Sequence, residues 1–172
     1  MTAATLYLNF DGVLHPRAVR LRAGAKPQLL VPGHTLFENN PLLECVLYAR
    51  PHTHVVLHTW WVLYFGYRFA AQQLPPAVQA RVIGATLPGN RALPLTKRPL
   101  ARREWVRADI ARRQPECPAL LDCDPVQVIA RLTDSALILD GQIGLSSTRL
   151  CDAMIALLDS VVSRQTLEVE KL

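Results

Sequence analysis

The sequence predicts an α/β fold in a single domain: a parallel β-sheet with helices on both faces. Three observations carry that prediction. Short apolar runs, Leu6-Tyr7-Leu8, Val55-Val56-Leu57, Ala119-Leu120-Leu121 and Ala136 to Leu139, have the length and composition of buried strands. Stretches with helical spacing of apolar residues lie between them, and strands alternating with helices imply parallel pairing through crossover connections. Polar residues follow the strands directly, at Asn9 and Asp11, at His58 and Thr59, and at Asp122 and Asp124. The carboxyl ends of strands are where open α/β sheets hold their ligands. With 172 residues, 50% of them hydrophobic, the chain is long enough to bury a core of ordinary size.

Taken in order, Thr5 to Asn9 reads as the first strand. Residues 15 to 41 form a long connection punctuated by Pro16, Gly24, Pro27, Pro32 and Gly33, within which Lys26 to Pro32 suits a short hairpin arm. Pro41 to Ala49 fits a helix, with Leu42, Leu43, Val46 and Leu47 on one stripe, Asn40 as N-cap and Pro51 as terminator. His54 to Thr59 holds the second strand. The aromatic-rich stretch Trp60 to Gln73 reads as a helix with an irregularity near Gly66, and Pro76 opens a short helix to Arg81. Val82 to Leu87 fits an edge strand and Pro88 to Thr96 a loop. Arg98 to Arg113 fits a helix with Leu100, Trp105, Val106 and Ile110 inward. Two more strands follow, and Ser146 or Ser147 caps a last helix to about Val162 with Leu150, Met154, Leu157 and Leu158 inward.

Nineteen Lys and Arg against fourteen Asp and Glu give a formal net charge of +5, carried almost entirely by arginine. A basic surface attracts phosphorylated metabolites or nucleic acid. No dense basic run of the kind that marks a nucleic-acid patch is present, so the arginines read as solvated and nucleic acid as the lesser expectation. The four cysteines form neither a C-x-x-C pair nor a zinc spacing and are expected to be free thiols, with Cys45 and Cys151 in the core. No apolar run is long enough to span a bilayer, and the first residues lack the pattern of a signal peptide. A cytoplasmic protein without a membrane partner is the expectation.

The chemistry concentrates in Thr5 to Pro16, TLYLNFDGVLHP. Period-two geometry sends Asn9 and Asp11 to one side and Phe10 to the other, and Gly12 permits a sharp turn or a close approach. The stretch resembles the first motif of the haloacid dehalogenase (HAD) superfamily, an apolar strand followed by Asp-x-Asp-Gly-[Val/Thr]-[Leu/Val], with the match running from Phe10 to Leu14. The resemblance implies a Rossmann-like three-layer sandwich with a minimal cap in the 15 to 41 insertion, Mg²⁺ as cofactor and a phosphorylated small molecule as ligand. It departs at Asn9, where the family has its nucleophilic Asp. A neutral amide is a poor nucleophile, so no ordinary aspartyl-phosphate is expected there. Asp11 matches the family's general acid/base, with its main-chain carbonyl as a metal ligand.

Three weaker stretches fit the same pattern in order. VVLHTWWV resembles the second motif of small bacterial HAD-like proteins, and implies either Thr59 or a ring nitrogen of His58 as the phosphate ligand. His58 is also a candidate metal ligand beside Asp11 or Asp122, although a buried, hydrogen-bonded histidine is the commoner case. The third motif asks for a cation ahead of or within the helix before the acidic strand end. Arg102 and Arg103 fit best and Lys97 is the alternative, among six arginines between Arg98 and Arg113. The fourth is LLDCDP, with Asp122 and Asp124 as metal ligands and Cys123 in place of a further Asp. Three functions remain open from sequence: an impaired phosphatase-type protein that binds a phosphorylated ligand or Mg²⁺, an active Mg²⁺-dependent phosphohydrolase, and an interaction scaffold that offers a protein partner the Trp60 to Tyr67 aromatics or the arginine-rich helix.

Overall fold

The computed structural model describes residues 3–87 and 101–169. Lys97 and the loop expected over Pro88 to Thr96 lie outside them. Five parallel strands, β1 (Ala4–Leu8), β4 (His54–Leu57), β5 (Val82–Ala85), β6 (Cys117–Asp122) and β7 (Ala136–Ile138), form one sheet in the order β5-β4-β1-β6-β7. All four pairings are parallel, as the alternation of strands and helices requires. The first strand is therefore central: Leu6 pairs with Val55 on one side and with Ala119 on the other. Every residue of β1 is buried, which is why the run shows no polar alternation.

Period-two geometry splits the core in two. Leu6, Leu8, Val55, Leu57, Ala119 and Leu121 face a cluster with α1 (Asn40–Ala49) and α6 (Thr148–Val169), through Leu43, Val46 and Leu47 of the first and Met154, Leu158 and Val161 of the second. Tyr7, Val56 and Leu120 face the other way, against Val106 and Ile110 of α5 (Arg102–Arg113) and against Ile129 and Leu132. The result is the expected three-layer sandwich. The Tyr7 hydroxyl, buried here, donates to Asp109 at 3.0 Å, and Arg112 and Arg113 neutralise that carboxylate.

The structure corrects several local expectations. Cys45 is exposed, because a 100° step per residue turns it away from the stripe of Leu43, Val46 and Leu47; Cys151 is buried as expected. The N-cap position of α1 is Asn39 and not Asn40, and Asn39 spends its amide on Val13 O and Ile143 O, both at 3.0 Å. The stretch after β4 is two helices, α2 (Trp60–Phe65) and α3 (Tyr67–Gln72), because Gly66 at φ 84° ends the one and begins the other. A short helix, α4 (Pro76–Gln79), follows. The arm pairs β3 (Gln28–Leu29), inside the stretch expected, antiparallel with β2 (Val19–Arg20), which lies upstream of it. The last helix continues past Val162 to Val169.

Candidate active site

The carboxyl ends of β1, β4 and β6 meet at one cleft of about 600 Å³. Its polar wall holds Asn9, Asp11, Arg17, Arg102 and Cys123. Asn9 is buried and its amide nitrogen makes two bonds, to Asp11 O at 2.7 Å and to Asp122 Oδ1 at 3.1 Å. Both partners are obligate acceptors, which fixes the nitrogen on that side. The Asn9 carbonyl oxygen is buried with no hydrogen-bond partner among the described residues.

Asp11 is held from below. Its Oδ1 accepts from Trp61 Nε1 at 2.8 Å and from His15 Nε2 at 3.0 Å. The His15 tautomer follows from its other nitrogen, since Nδ1 accepts the Phe37 N–H at 3.2 Å and leaves Nε2 to donate. Phe10 and Phe37 pack edge-on around Trp61 at 5.9 and 4.9 Å between ring centres, so the orienting indole is locked. Neither His15 nor Trp61 was singled out as a site residue from sequence. His15 left a signal, four residues after Asp11 in DGVLHP; Trp61 left one in VVLHTWWV, where it matches the second motif that stretch resembles. Gly12 is required here: at φ +77° a Cβ would lie 2.3 Å from Cys123 Sγ.

Asp122 is fully buried and fully engaged. Arg102 holds it with Nη1 on Oδ2 at 2.8 Å and Nη2 on Oδ1 at 3.3 Å, and Oδ1 also takes the backbone N–H groups of Cys123 and Asp124. Burial pushes the Asp122 carboxyl above its usual range, and the Arg102 charge pulls it back in part. Arg102 is itself buried and also donates to His58 O at 2.8 Å. Of the candidate cations, Arg102 reaches the cleft, whereas Arg103 lines a separate hollow with Arg107 and Arg131. Arg17, unmarked from sequence, does line the cleft. Its exposed guanidinium has no hydrogen-bond or ion-pair partner among the described residues.

The other candidates face elsewhere. Thr59 caps α2 by accepting Trp61 N–H at 3.3 Å. His58 is fully buried, its Nδ1 bonded to Thr86 Oγ1 at 3.1 Å. Asp124 caps the short 3-10 turn Pro125–Gln127 through Val126 N–H and accepts from Gln127 Nε2 at 2.7 Å. The Cys123 thiol donates to Asp11 O at 3.4 Å, and burial, then the Asp122 charge, push its pKa up to about 11, so it is no thiolate nucleophile at neutral pH.

Burial, then the charge of Arg102, hold the His58 imidazole well below its ordinary pKa. The unfolded chain takes up a proton near pH 6.5 that the folded chain refuses. Stability is therefore insensitive to this group above pH 6.5 and falls on acidification, by about 1.4 kcal/mol between pH 7.5 and 5.5. Urea unfolding at the two pH values checks this: His58→Gln should lose less than the parent by about that amount, and equal losses would show that His58 titrates within the fold.

A parallel α/β sheet with its polar strand ends gathered under an Asn-x-Asp-Gly loop, a cation from a helix and an acidic residue ending β6 has the fold and site layout of a HAD domain. The chain belongs to the family of HAD domains in Swiss Army Knife RNA repair proteins, whose sequence model matches residues 5–150. No curated protein and no solved structure matches it. HAD domains of this type are phosphatase-type hydrolase folds that bind phosphorylated substrates, generally with Mg²⁺. The residues here do not fit that ion. Asp11 O receives the Asn9 amide and the Cys123 thiol, both Asp122 oxygens receive Arg102, and Asp124 is spent on its cap. Among the described residues no three His, Cys, Asp or Glu side chains are placed to share a metal. No helix among them is long and apolar enough to cross a membrane.

Proposed function

We propose that this domain binds a phosphorylated ligand in the strand-end cleft without hydrolysing it, and that the ligand is a phosphorylated RNA end, in keeping with the RNA repair setting of the family. The observation that carries the reading is the state of Asn9. A buried neutral amide stands at the nucleophile position, with its N–H groups committed to Asp11 O and Asp122. An amide oxygen is a weak nucleophile and no side chain among the described residues activates it. Arg17 supplies the free positive charge that a phosphate dianion requires, while the Arg102 charge is compensated by Asp122. Asp11, held by Trp61 and His15, leaves Oδ2 available to accept a hydrogen bond from a ligand hydroxyl or a singly protonated phosphate.

Short oligoribonucleotides with and without a terminal phosphate test the reading by calorimetric titration, alongside an aryl phosphate turnover assay with Mg²⁺. Binding should require the phosphate, weaken about tenfold or more in Arg17→Met as expected for loss of a charge-assisted contact, and be accompanied by no turnover. Turnover by the unaltered chain would make it an active phosphohydrolase. Binding indifferent to the phosphate would point to a scaffold.

A further inference from the structure

The cleft is larger than a phosphate needs, and its second wall is apolar. Trp60, Leu63 and Tyr64 line it from α2, and Val19 and Leu21 line it from the arm. The three α2 residues sit at i, i+3 and i+4, one stripe of the helix. The residues between, Trp61 and Val62, are buried in the core. A surface helix ordinarily turns charged or strongly polar residues outward, but α2 reads WWVLYF and has none. Its outer stripe is left half-buried and looks into the same cleft as Asn9, Asp11 and Arg17. Trp60 is held edge-on against Trp105, with 4.9 Å between ring centres and 73° between planes, so one aromatic wall has a fixed orientation before any ligand arrives.

Resting on the phosphate-binding reading, we infer that the ligand is a nucleoside phosphate, its base between Trp60 and Tyr64 of α2 and Val19 and Leu21 of the arm, its phosphate against Arg17. A flat aromatic group beside a dianion matches a cleft with an aromatic-aliphatic wall and a free guanidinium. A sugar phosphate fits the apolar wall poorly, since that wall offers its several hydroxyls two polar groups, the Tyr64 phenol and the Trp60 indole N–H. Stacking is tolerant of base identity, so the wall selects for the presence of a base and not for its sequence. The same chemistry is presented by a free mononucleotide and by the last nucleotide of a phosphorylated RNA chain.

Titration by calorimetry and tryptophan fluorescence distinguishes these cases, with ribose 5-phosphate, adenosine 5′-monophosphate and a 5′-phosphorylated oligoribonucleotide as probes. The mononucleotide should bind at least about tenfold more tightly than ribose 5-phosphate, the increment that one base–aromatic contact supplies. Tyr64→Leu and Leu21→Glu, each confirmed folded by its melting curve, should bring its affinity to within about threefold of the sugar phosphate. An oligonucleotide that binds more tightly than the mononucleotide identifies the chain end as the source, and one that binds more weakly identifies the free nucleotide. Equal binding of ribose 5-phosphate and mononucleotide would overturn the inference and leave the phosphate site standing. Binding of neither would overturn both.

Discussion

Asn9→Asp is expected to turn a protein indifferent to Mg²⁺ into one that depends on it. In the parent chain the Asn9 amide nitrogen lies between Asp11 O and Asp122 Oδ1, two groups that a HAD domain would offer to its metal, and it satisfies both with N–H donors. Replacing that amide with a carboxylate removes both donors and sets a second buried acid against Asp122. Without metal the variant should lose on the order of 3 kcal/mol, since like charges in a buried site oppose each other. For a domain of this size that is a fall of roughly 6–12 °C in melting temperature. Mg²⁺ at a hundredfold over its dissociation constant returns about 2.7 kcal/mol. Calorimetric melts with Mg²⁺ and with chelator check this, with Mn²⁺ resonance as a direct reading of the bound ion. The parent should melt alike in both. A variant whose melting point Mg²⁺ does not raise would refute the view that the amide stands in the ion's place. If the remaining site is competent, aryl phosphate turnover appears in the variant with Mg²⁺ and in no other combination.

Arg102→Met is expected to be the most destabilising single change at the strand ends. It leaves the Asp122 charge fully buried with one neutral amide and two backbone N–H groups for company. Breaking such a pair from one side costs about 3–5 kcal/mol. The loss should shrink on acidification. Without the guanidinium the folded carboxyl holds its proton to higher pH than the unfolded one, so stability falls as pH rises from the ordinary aspartate value up through the raised folded one. Adding Asp122→Asn should recover much of the loss, since a neutral amide at that position needs no cation. Guanidinium unfolding at pH 4.5 and 7.5 reads both effects. A cost below about 1 kcal/mol at pH 7.5 would show the pair to be no stronger than an exposed one.

Local pattern determined a great deal of this molecule. The all-apolar runs before Asn9, His58 and Asp122 became the three adjacent central strands, because a strand buried on both faces must be apolar throughout. Gly66 could be read as a break because glycine tolerates the positive φ found there. The Asn-x-Asp-Gly loop pointed to the ligand end of the sheet before any contact was known. Only the tertiary structure decided which polar groups meet. Asn9 and Asp122 are 113 residues apart in the chain and become neighbours because β1 and β6 are adjacent. Arg102 was separated from the four other arginines of its helix by helix phase, which turns it into the site while Arg103 faces a different hollow. The residues that hold Asp11, and Arg17, a cation unpaired among the described residues, come from loop geometry and aromatic packing, which have no period to read. Periodicity reports how each segment sits against the core. The partner of a charged or amide group at a strand end depends on strand order and on the path of the connections, and those are properties of the whole chain.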